Sequence, residues 1–499
     1  NAFARRAFSH FTHDYVPKAR QIFIDNQFRP AVSGKTFDVI NPTTERVIAS
    51  VAEGDAADVD LAVQSSRRAF DNGPWRRISA YERGRLLYKL ADLIEKHSEE
   101  LAFLESLDNG KPLWTAKNID LVLSVATFRY YAGLADKIHG ETVPLIGPYF
   151  CYTRKEPVGV AGQIIPWNFP FLMATWKLAP SLAAGCTVIL KPAEQTPFSA
   201  LRLGELIAEA GFPEGVVNIV PGFAPAGQAI VNHPGVDKIA FTGSTEVGKS
   251  IMRNSSAANL KRVTLELGGK SPNIILDDAD IDTAIAQSQL ALFFNMGECC
   301  IAGSRTFVHS KIYDQFVERT VEASKKRKLG DPLGEGIDQG PQIDRDQVDK
   351  ILSYVEKGKA DGATLLTGGN RWGNRGYFVE PTVFADCNDN MSIVKEEIFG
   401  PVFSILKFDD INELIKRANA TNFGLGAGIV TRDIEKAFKL ANSIRAGTIY
   451  VNCYDVFQTN TVFGGFKDSG IGRELGLEGI KNYLESKTVI FKTADDALP

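Results

Sequence analysis

From residue 157 onward, the chain alternates short apolar segments with amphipathic helical patterns. The apolar segments lie at 160–165, 187–191, 216–220, 237–242 and 262–267, and the helical patterns between them at 171–184, 198–211, 224–232 and 245–257. Continuous apolar strands separated by helices are typical of a parallel sheet that is buried on both faces. The alternation therefore predicts an α/β fold built on such a sheet.

The same alternation starts again further along, which predicts a second α/β domain. A strand at 272–276 and a helix at 281–296 open this series, which continues to a strand at 448–452. The stretch Leu267-Gly268-Gly269 is the predicted hinge between the two domains. Upstream of residue 157 we predict short strands at 21–25 and 36–40 and helices at 55–72, 80–107 and 115–136.

Length and composition exclude several classes of protein. At about 150 residues per domain, 499 residues make roughly three domains or two large ones. Apolar residues (44%) and charged residues (23%) are those of a soluble globular protein, so whole-chain disorder, collagen and coiled coil are excluded. A net charge of −4 gives no basic excess for nucleic acid or an anionic membrane. Six cysteines without a CxxC pair favour a reducing compartment, and no metal site is expected.

Two segments have features of membrane or targeting sequences. Residues 157–190 carry one charge, Lys177, but prolines and glycines divide them, so no run of about 20 apolar residues remains. We predict buried strands, turns and a helix there. Residues 1–13 lack acidic residues and separate apolar from basic side chains on a helical face. That pattern is typical of an organelle transit peptide, and an ordinary basic tail is the alternative.

Residues 243–250 read G-x-x-x-x-G-K-S, the phosphate-loop signature, between a predicted strand and a predicted helix. The segment 273–278 ends in two acids, as a magnesium-binding strand would, which suggests an ATPase or GTPase. Glu246 weakens this hypothesis, because it could direct a carboxylate at the phosphates. A helix N-terminus after Gly243 and Ser244 still favours an anion such as a pyrophosphate. A glycine turn that serves only packing is the alternative.

Three further sites have side chains suited to catalysis. Cys299 and Cys300 lie in a run flanked by glycines, where a reactive thiol and a buried structural cysteine both fit. Glu266 ends an apolar strand, where desolvation would raise its pKa toward that of a general base, or it is an exposed strand-end carboxylate. Asn168, between two prolines, holds a rigid amide that can donate to an oxyanion or satisfy turn backbone.

Taken in order, these motifs resemble the NAD(P)-dependent aldehyde dehydrogenase superfamily, and most of all its tetrameric, broad-specificity class of cytosolic retinal and mitochondrial acetaldehyde enzymes. The resemblance covers nearly the whole chain. It includes DVINPTTER at 38–46, DNGKP at 108–112, RYYAG at 129–133, PWNFP at 166–170, KPAEQTP at 191–197, FTGSTEVG at 241–248, LELGGKSP at 265–272, EEIFGPV at 396–402 and FGGFKDSGIGRELG at 463–476. The phosphate-loop match then becomes a coincidence at the cofactor's pyrophosphate site.

The resemblance implies a mechanism. Cys300 matches the nucleophile, whose thiolate adds to the aldehyde to form a thiohemiacetal and, after hydride transfer to NAD, a thioester. The Asn168 amide and the Cys300 backbone N–H are expected to hold the oxyanion. Glu266 matches the general base that activates water for hydrolysis of the thioester. Glu474 matches a further acid, expected to relay protons.

The resemblance also implies a cofactor site and a substrate tunnel. The expected cofactor residues are Ile165, Trp167, Lys191 and Glu194 around the adenosine, Gly243 and Ser244 at the pyrophosphate, and Glu397 and Phe399 near the nicotinamide ribose. A carboxylate at Glu194 repels a 2′-phosphate, so NAD is expected in preference to NADP. The expected tunnel is lined by Leu123, Phe169, Trp176, Phe294, Phe457 and Phe463. Such a lining favours apolar aliphatic or aromatic aldehydes.

Two positions beside the nucleophile depart from the family pattern. Glu298 stands where the family usually has Gln. A carboxylate directed at Cys300 would raise the pKa of the thiol and slow its attack, whereas one that faces away would change nothing. Ile301 stands where Cys, Thr or Val is frequent, so the shape of the pocket floor is left open.

The resemblance implies a Rossmann-like NAD-binding domain of residues 8–138 and 158–267 and a catalytic domain of residues 268–467. An antiparallel flap of residues 139–157 and 484–499 is expected to join subunits, because exposed paired strands need a cap. A homotetramer, as a dimer of dimers, is expected, in the mitochondrial matrix or alternatively the cytoplasm. The rival functions are a phosphate-loop NTPase and a non-catalytic structural relative of the lens-crystallin kind.

Overall fold

The structure is a computed structural model that describes residues 12–494. Its strands are β1 Ile22–Ile24, β2 Gln27–Arg29, β3 Thr36–Asn41, β4 Arg46–Ala52, β5 Thr142–Val143, β6 Tyr149–Pro157, β7 Val160–Ile164, β8 Thr187–Lys191, β9 Val217–Ile219, β10 Lys238–Thr242, β11 Arg262–Glu266, β12 Pro272–Ile275, β13 Arg305–His309, β14 Thr364–Thr367, β15 Thr382–Cys387, β16 Val402–Phe408, β17 Gly426–Val430, β18 Thr448–Val451, β19 Gly470–Ile471 and β20 Leu484–Lys492. Its α-helices span Ala56–Asp71, Pro74–Arg77, Ala80–Lys96, Ser98–Asn109, Leu113–Thr115, Leu121–Leu134, Pro170–Ala184, Phe198–Ala210, Ala224–Asn232, Thr245–Asn254, Ile281–Phe293, Tyr313–Lys325, Arg345–Ala360, Ser392–Lys395, Ile411–Asn419, Ile434–Ser443 and Gly476–Lys481. The transit-peptide prediction falls almost wholly on residues outside the described range.

The first large sheet contains the strands predicted between residues 160 and 267. Its order is β19-β11-β10-β7-β8-β9-β1-β2, and the five strands from β11 to β9 run parallel. Antiparallel strands form both edges of the sheet. At one edge β1 pairs antiparallel with β9 and with β2, and at the other edge β19 pairs antiparallel with β11. The chain proceeds outward through β7, β8 and β9 and then returns to place β10 on the other side of β7. Such a reversal of strand order opens a crevice at the carboxyl ends of the parallel strands.

The second large sheet contains β12 to β18 in the order β14-β15-β16-β13-β12-β17-β18. All its neighbours are parallel except β14, which pairs antiparallel with the edge of β15. The α/β class is therefore confirmed, with mixed rather than purely parallel sheets. Each predicted large domain contains one of the two large sheets apart from the edge strand β19, and the first also contains the antiparallel pair β3–β4. The domain boundaries themselves stay a prediction.

The two segments predicted to form the flap, residues 139–157 and 484–499, contribute the strands of a small antiparallel sheet. β20 pairs with β6 along its whole length, from Leu484 opposite Pro157 to Lys492 opposite Tyr149, and β5 adds to the other side of β6. The predicted pairing of these segments with each other is confirmed for the described residues.

Three predicted helices differ from the observed ones. The pattern at 80–107 forms two helices that meet at His97, where acidic side chains in the next first turn favour a new helix N-terminus. The pattern at 115–136 begins as a π-helical turn, Ala116–Asp120. The helix predicted to reach residue 296 ends at Phe293, because Asn295 and Met296 have φ of 50° and 59°.

The apolar segment 157–190 forms β7, the helix Pro170–Ala184 and β8, as predicted. Every residue of that helix and of β8 is buried. Between residues 12 and 494, the structure contains no helix of the length and apolar character that a bilayer crossing requires.

Candidate active site

One cavity of about 280 Å³ gathers most of the residues that the sequence singled out. Its lining includes all four predicted catalytic residues, all six predicted tunnel residues and five of the predicted cofactor residues. These are Cys300, Glu266, Asn168 and Glu474, then Leu123, Phe169, Trp176, Phe294, Phe457 and Phe463, then Trp167, Gly243, Ser244, Glu397 and Phe399. Ile165, Lys191 and Glu194 lie outside this lining.

The crevice of the first sheet explains why distant segments meet here. β7 ends just before Trp167 and Asn168, β10 ends just before Gly243, and β11 ends in Glu266. Because parallel strands have their carboxyl ends at one edge, the residues that follow them become neighbours. The neighbouring strand β8 ends in Lys191 at the same edge of the sheet. The buried Lys191 ammonium lies 3.6 Å from the Glu194 carboxylate.

The loop at 243–250 supports an anion site but not a phosphate loop. Ser244 caps the helix Thr245–Asn254 by accepting a hydrogen bond from the Val247 N–H at 3.3 Å, and the free N–H groups of a helix N-terminus favour an anion. The signature lysine, Lys249, instead pairs with Asp468 at 2.7 Å and is largely exposed. Asp277 likewise pairs with lysines, so neither residue serves a nucleotide as the NTPase hypothesis requires.

A strained turn presents the two adjacent cysteines. After Phe293 the chain passes through Asn295, Met296 and Gly297, all with positive φ. The backbone strain at the two non-glycine residues, Asn295 and Met296, persists only where the surroundings fix it, and such strain clusters at functional sites. Cys299 is buried, and its pKa is raised by the hydrogen bond of its thiol with Cys300 and by burial. Cys300 is the partly exposed thiol of the pair.

Glycines in the LELGG motif let this turn approach the end of β11. A Cβ added at Gly269 would collide with the carbonyl oxygen of Cys300, and one added at Gly268 would collide with the Glu397 carboxylate. The Gly269 N–H also donates to Glu397 at 2.8 Å. The two glycines therefore bring a predicted nucleophile and a predicted cofactor residue to the same edge.

The Asn168 amide lies against the turn that carries the cysteines. Its Nδ2 donates to the backbone carbonyl oxygen of Glu298 at 3.0 Å, and the backbone carbonyl oxygen of Asn168 accepts from the Asn295 side-chain amide at 2.9 Å. The side chain is 5% exposed. Since a primary amide has two N–H bonds, this anchoring holds the group in one orientation and leaves the second bond for a ligand oxygen.

The two predicted acids share a buried lysine that sequence reasoning did not assign. Lys177 Nζ contacts Glu474 Oε1 at 2.6 Å and Thr242 Oγ1 at 2.6 Å. Burial raises the pKa of Glu266 well above its ordinary value, the Glu474 charge raises it further, and Lys177 and Arg473 oppose the shift. The signal for Lys177 was present in the sequence, because it is the only charge between residues 157 and 190.

Two more cavity residues, Gln347 and Lys350, were missed altogether. They lie on the helix Arg345–Ala360, and the Gln347 side-chain amide donates to the carbonyl oxygen of Phe399 at 2.6 Å. Burial lowers the pKa of Lys350, while the Glu397 charge raises it. No local motif marks this helix as functional, so only the tertiary structure could have found these residues.

Five of the six predicted tunnel residues are aromatic, and their rings form two groups of contacting side chains in the cavity lining. Phe169 stacks on Phe294 with ring centroids 5.7 Å apart, and Trp176 contacts Phe463 and Phe457 at 5.2 and 6.3 Å. Ring contacts of this kind fix the side chains against one another. The cavity therefore has a firm apolar side beside the Cys300 thiol.

Glu298 faces away from the thiol. Its side chain is fully buried, its Oε1 accepts from the Ile343 N–H at 3.0 Å, and burial raises its pKa well above the ordinary value. Neither carboxylate oxygen reaches the cavity lining, whereas the neighbouring Ile301 does line it and forms part of its floor beside Gly426.

The Glu298→Gln variant is therefore expected to keep the parent's kcat/KM and its rate of Cys300 alkylation. In the folded state the raised pKa of Glu298 exceeds the unfolded value, so the stability linked to this proton falls as the pH rises through the raised pKa. A neutral Gln removes that loss. The Tm of the variant should exceed the parent's at alkaline pH and approach it at mildly acidic pH.

Thermal unfolding at both pH values and iodoacetamide kinetics check this expectation, with Glu322→Gln on an exposed helix face as the control. Faster alkylation of Cys300 in the Glu298 variant would show that the carboxylate does act on the thiol.

Comparison with known proteins agrees with this geometry over nearly the whole chain. The sequence profile described as "Aldehyde dehydrogenase family" matches residues 28–489. The chain belongs to the aldehyde dehydrogenase family. It is 58% identical to aldehyde dehydrogenase 1A1 of Gallus gallus over 481 residues, 96% of this chain and 94% of that protein. It is also 58% identical to the mitochondrial aldehyde dehydrogenase of Homo sapiens over 474 residues, 95% of this chain and 92% of that protein.

The fold and the cofactor agree as well. The NAD+ complex of the aldehyde dehydrogenase from Bacillus cereus superposes with a TM-score of 0.94 at 50% identity, covering 97% of this chain and 98% of that one. The protein described by this chain is therefore an enzyme that oxidises aldehydes with NAD as its cofactor. The predicted family, enzyme class and cofactor are thus confirmed, and the NTPase and non-catalytic alternatives are wrong.

The residues of this aldehyde dehydrogenase fit NAD. The helix N-terminus at Ser244 suits a pyrophosphate, and the Glu397 carboxylate, which the side-chain-free Gly268 admits to the cavity, suits ribose hydroxyls. The Lys191–Glu194 pair lies one strand further along the same sheet edge. Within residues 12–494, no group of three or more His, Cys, Asp or Glu side chains is arranged to hold a metal ion.

Proposed function

We propose that this enzyme oxidises apolar aliphatic or aromatic aldehydes to carboxylic acids through a cysteine thiohemiacetal and thioester. The observation that supports the proposal is the lining of one cavity, which brings together the accessible Cys300 thiol, the anchored Asn168 amide and several aromatic rings. Burying an apolar substrate against those rings is favourable and excludes water.

Cys300 acts first in the proposed mechanism. A neutral aldehyde lacks the alkoxide that expels hydride, and addition of the thiolate supplies it. The second N–H of Asn168 and the Cys300 backbone N–H stabilise the new oxyanion, because both are fixed before the reaction begins. NAD, when bound, supplies the acceptor for the hydride that leaves the substrate carbon, after which that carbon is joined to sulfur as a thioester.

Glu266 acts in the second half of the mechanism, as the general base that removes a proton from water while the water attacks the thioester. A raised pKa makes this buried carboxylate a stronger base than an exposed one. Glu474 and Lys177, joined at 2.6 Å, form the route by which that proton leaves the cavity. Sulfur leaves the carbon as the thiolate, which restores Cys300.

The cofactor-holding roles are also proposals. Ile165, Trp167, Lys191 and Glu194 would hold the adenosine, Gly243 and Ser244 the pyrophosphate, and Glu397 and Phe399 the nicotinamide ribose. Phe399 has φ of 60°, and its ring contacts Trp167 edge-on at 5.3 Å. That contact links the two ends of the proposed cofactor site.

We further propose that the flap of residues 139–157 and 484–499 joins subunits into a homotetramer. The flap leaves about half of the surface of Phe150, Ile490 and Phe491 exposed, and Ile146 is 99% exposed. Exposed strands with apolar side chains associate unless a partner covers them. The mitochondrial matrix is the proposed location, supported by the N-terminal composition and by relatives named mitochondrial aldehyde dehydrogenase.

A panel of aldehydes of increasing apolar size, followed by NADH absorbance, tests the substrate class. We expect kcat/KM to rise from acetaldehyde through hexanal and benzaldehyde, and each added buried methylene contributes about 0.8 kcal/mol at most. A carboxylated semialdehyde of matched length is the control and should react poorly. A preference for the semialdehyde would contradict the proposed substrate class.

A further inference from the structure

A buried cluster of three ionisable side chains, Glu105, Lys111 and Asp120, lies beside the cavity, and Asp120 belongs to the cavity lining. Lys111 Nζ contacts Asp120 Oδ2 at 2.5 Å and Glu105 Oε1 at 3.1 Å, and all three side chains have no exposed surface. Lys111 belongs to the DNGKP segment, whose role neither the mechanism nor the cofactor site explains. Isolated charges are expensive to bury, so a cluster kept wholly out of water needs a reason in the surrounding structure.

One partner of Lys111, Asp120, belongs to the lining of the cavity. Asp120 ends the π-helical turn Ala116–Asp120 and lines the cavity together with Ile119, and Leu123 lines it one helical turn later. π-helical turns are rare and are frequent at functional sites. The ion pair with Lys111 holds the end of this turn at a fixed place.

The same ammonium contacts the ring of Phe169, one of the predicted tunnel residues. Lys111 Nζ lies 4.4 Å from the ring centroid of Phe169, which in turn stacks on Phe294. A cation over the face of an aromatic ring is attracted to it, and more strongly when water is excluded. One side chain thus contacts both Asp120 and Phe169, which line the same cavity from two different segments of the chain.

The neighbouring residues attach the DNGKP segment to the Asn168 loop. The Glu105 carboxylate accepts from the Phe171 N–H at 3.2 Å, and the Asn109 amide donates to the Trp167 carbonyl oxygen at 2.8 Å. Asn109 also accepts from the Lys111 N–H at 3.1 Å. These bonds fix the backbone on both sides of Asn168 and Phe169.

We propose that Lys111, through Asp120 and Glu105, is a positioning residue that sets the width of the substrate tunnel and thereby the preference for bulky over short aldehydes. This inference rests on the proposed function of the cavity. An aromatic aldehyde packs against tunnel side chains such as Phe169 and Leu123, so its binding depends on how these side chains are held relative to one another. A two-carbon aldehyde needs only the region around Cys300 and Asn168.

The Lys111→Met variant tests the proposal, because it keeps the length of the side chain and removes its charge. We expect the ratio of kcat/KM for benzaldehyde to kcat/KM for acetaldehyde to fall about tenfold, mainly because KM for benzaldehyde rises. A change of this size is typical of altered contacts in a binding pocket. Asp120→Asn, which keeps the shape, should shift the same ratio in the same direction. The kinetic measurement is NADH formation with both aldehydes.

Lys261→Met is the matched control. Lys261 is also buried, and its ammonium donates to the carbonyl oxygens of Val231 and His233, away from the cavity lining. Its loss should lower the Tm without changing the ratio between the two aldehydes. Equal losses for both aldehydes in the Lys111 and Asp120 variants would assign the cluster a structural role only and overturn the proposal.

A readout without turnover separates this proposal from the proposed function. Alkylation of Cys300 by iodoacetamide and by N-benzyl iodoacetamide, mapped by mass spectrometry, needs neither NAD nor aldehyde oxidation. Lys111→Met should slow the benzyl reagent relative to iodoacetamide severalfold. If the parent enzyme fails the aldehyde panel but this ratio still changes, the substrate class is wrong and the positioning role stands. An unchanged ratio overturns the role of Lys111 itself.

Discussion

The Cys300→Ser variant is expected to lose aldehyde oxidation by at least about a thousandfold in kcat, the scale of loss seen when an enzyme's nucleophile is removed. A hydroxyl occupies nearly the same volume as the thiol, but it is far weaker as a nucleophile near neutral pH because so little of it is ionised. Cys300 is only partly buried, so the substitution should leave the fold intact. Steady-state NADH formation and far-UV circular dichroism check both statements.

Cys453 provides the control for this experiment, and Cys299 is the alternative site for the adduct. Cys453→Ser changes a cysteine of similar, intermediate exposure that does not line the cavity, and it should retain the parent's rate. Mass spectrometry of the acyl adduct trapped during turnover should place it on Cys300. An adduct on Cys299, or activity that survives in Cys300→Ser, would contradict the proposed nucleophile.

The Glu266→Gln variant is expected to separate the two halves of the reaction. Gln keeps the shape of the buried side chain but cannot accept a proton, so hydrolysis of the thioester should slow by about 100- to 10,000-fold. NADH should then appear as a rapid burst of about one equivalent per subunit, followed by a slow steady state. Rapid-mixing absorbance measures the burst, and acid-quenched mass spectrometry detects the accumulated acyl-enzyme.

The pH dependence of hydrolysis gives an independent check on Glu266. The carboxylate form is the active one, and burial raises its pKa, so the steady-state rate should increase with pH through a region above the ordinary carboxyl range. Lys177→Met removes a charge that opposes this rise. The rising part of the pH–rate curve should therefore move to higher pH in that variant. Disappearance of the burst in Glu266→Gln would instead place Glu266 before hydride transfer.

The core of the fold could be predicted because its pattern is local. The central strands β7, β8 and β10 read as continuous apolar runs, and each is buried along nearly its whole length. The helix at 224–232 has the predicted bounds. The antiparallel edges could not be predicted, because β1 reaches β9 and β19 reaches β11 across about 200 residues, and no local periodicity records such a pairing.

Breaks inside helices were predicted least well. The helix before the cysteines has no proline or glycine between Ile281 and Met296, so its apolar pattern continues through the residues that actually turn. The left-handed turn at Asn295 and Met296 is stabilised by contacts from elsewhere, including the bond from Asn295 to the carbonyl oxygen of Asn168. Such contacts do not exist in the isolated segment.

By itself, the sequence determined which chemical groups this enzyme has and roughly where they lie along the chain: a pair of thiols at Cys299 and Cys300, an acid at Glu266 and an amide at Asn168. Only the tertiary structure decided what each group faces. It turned Glu298 toward Ile343, joined Lys177 to Glu474 and brought Lys350 to the cavity. The reason is physical, since strand and helix patterns depend on neighbouring residues, whereas the pKa and orientation of a buried charge depend on partners as many as 297 residues away in the chain.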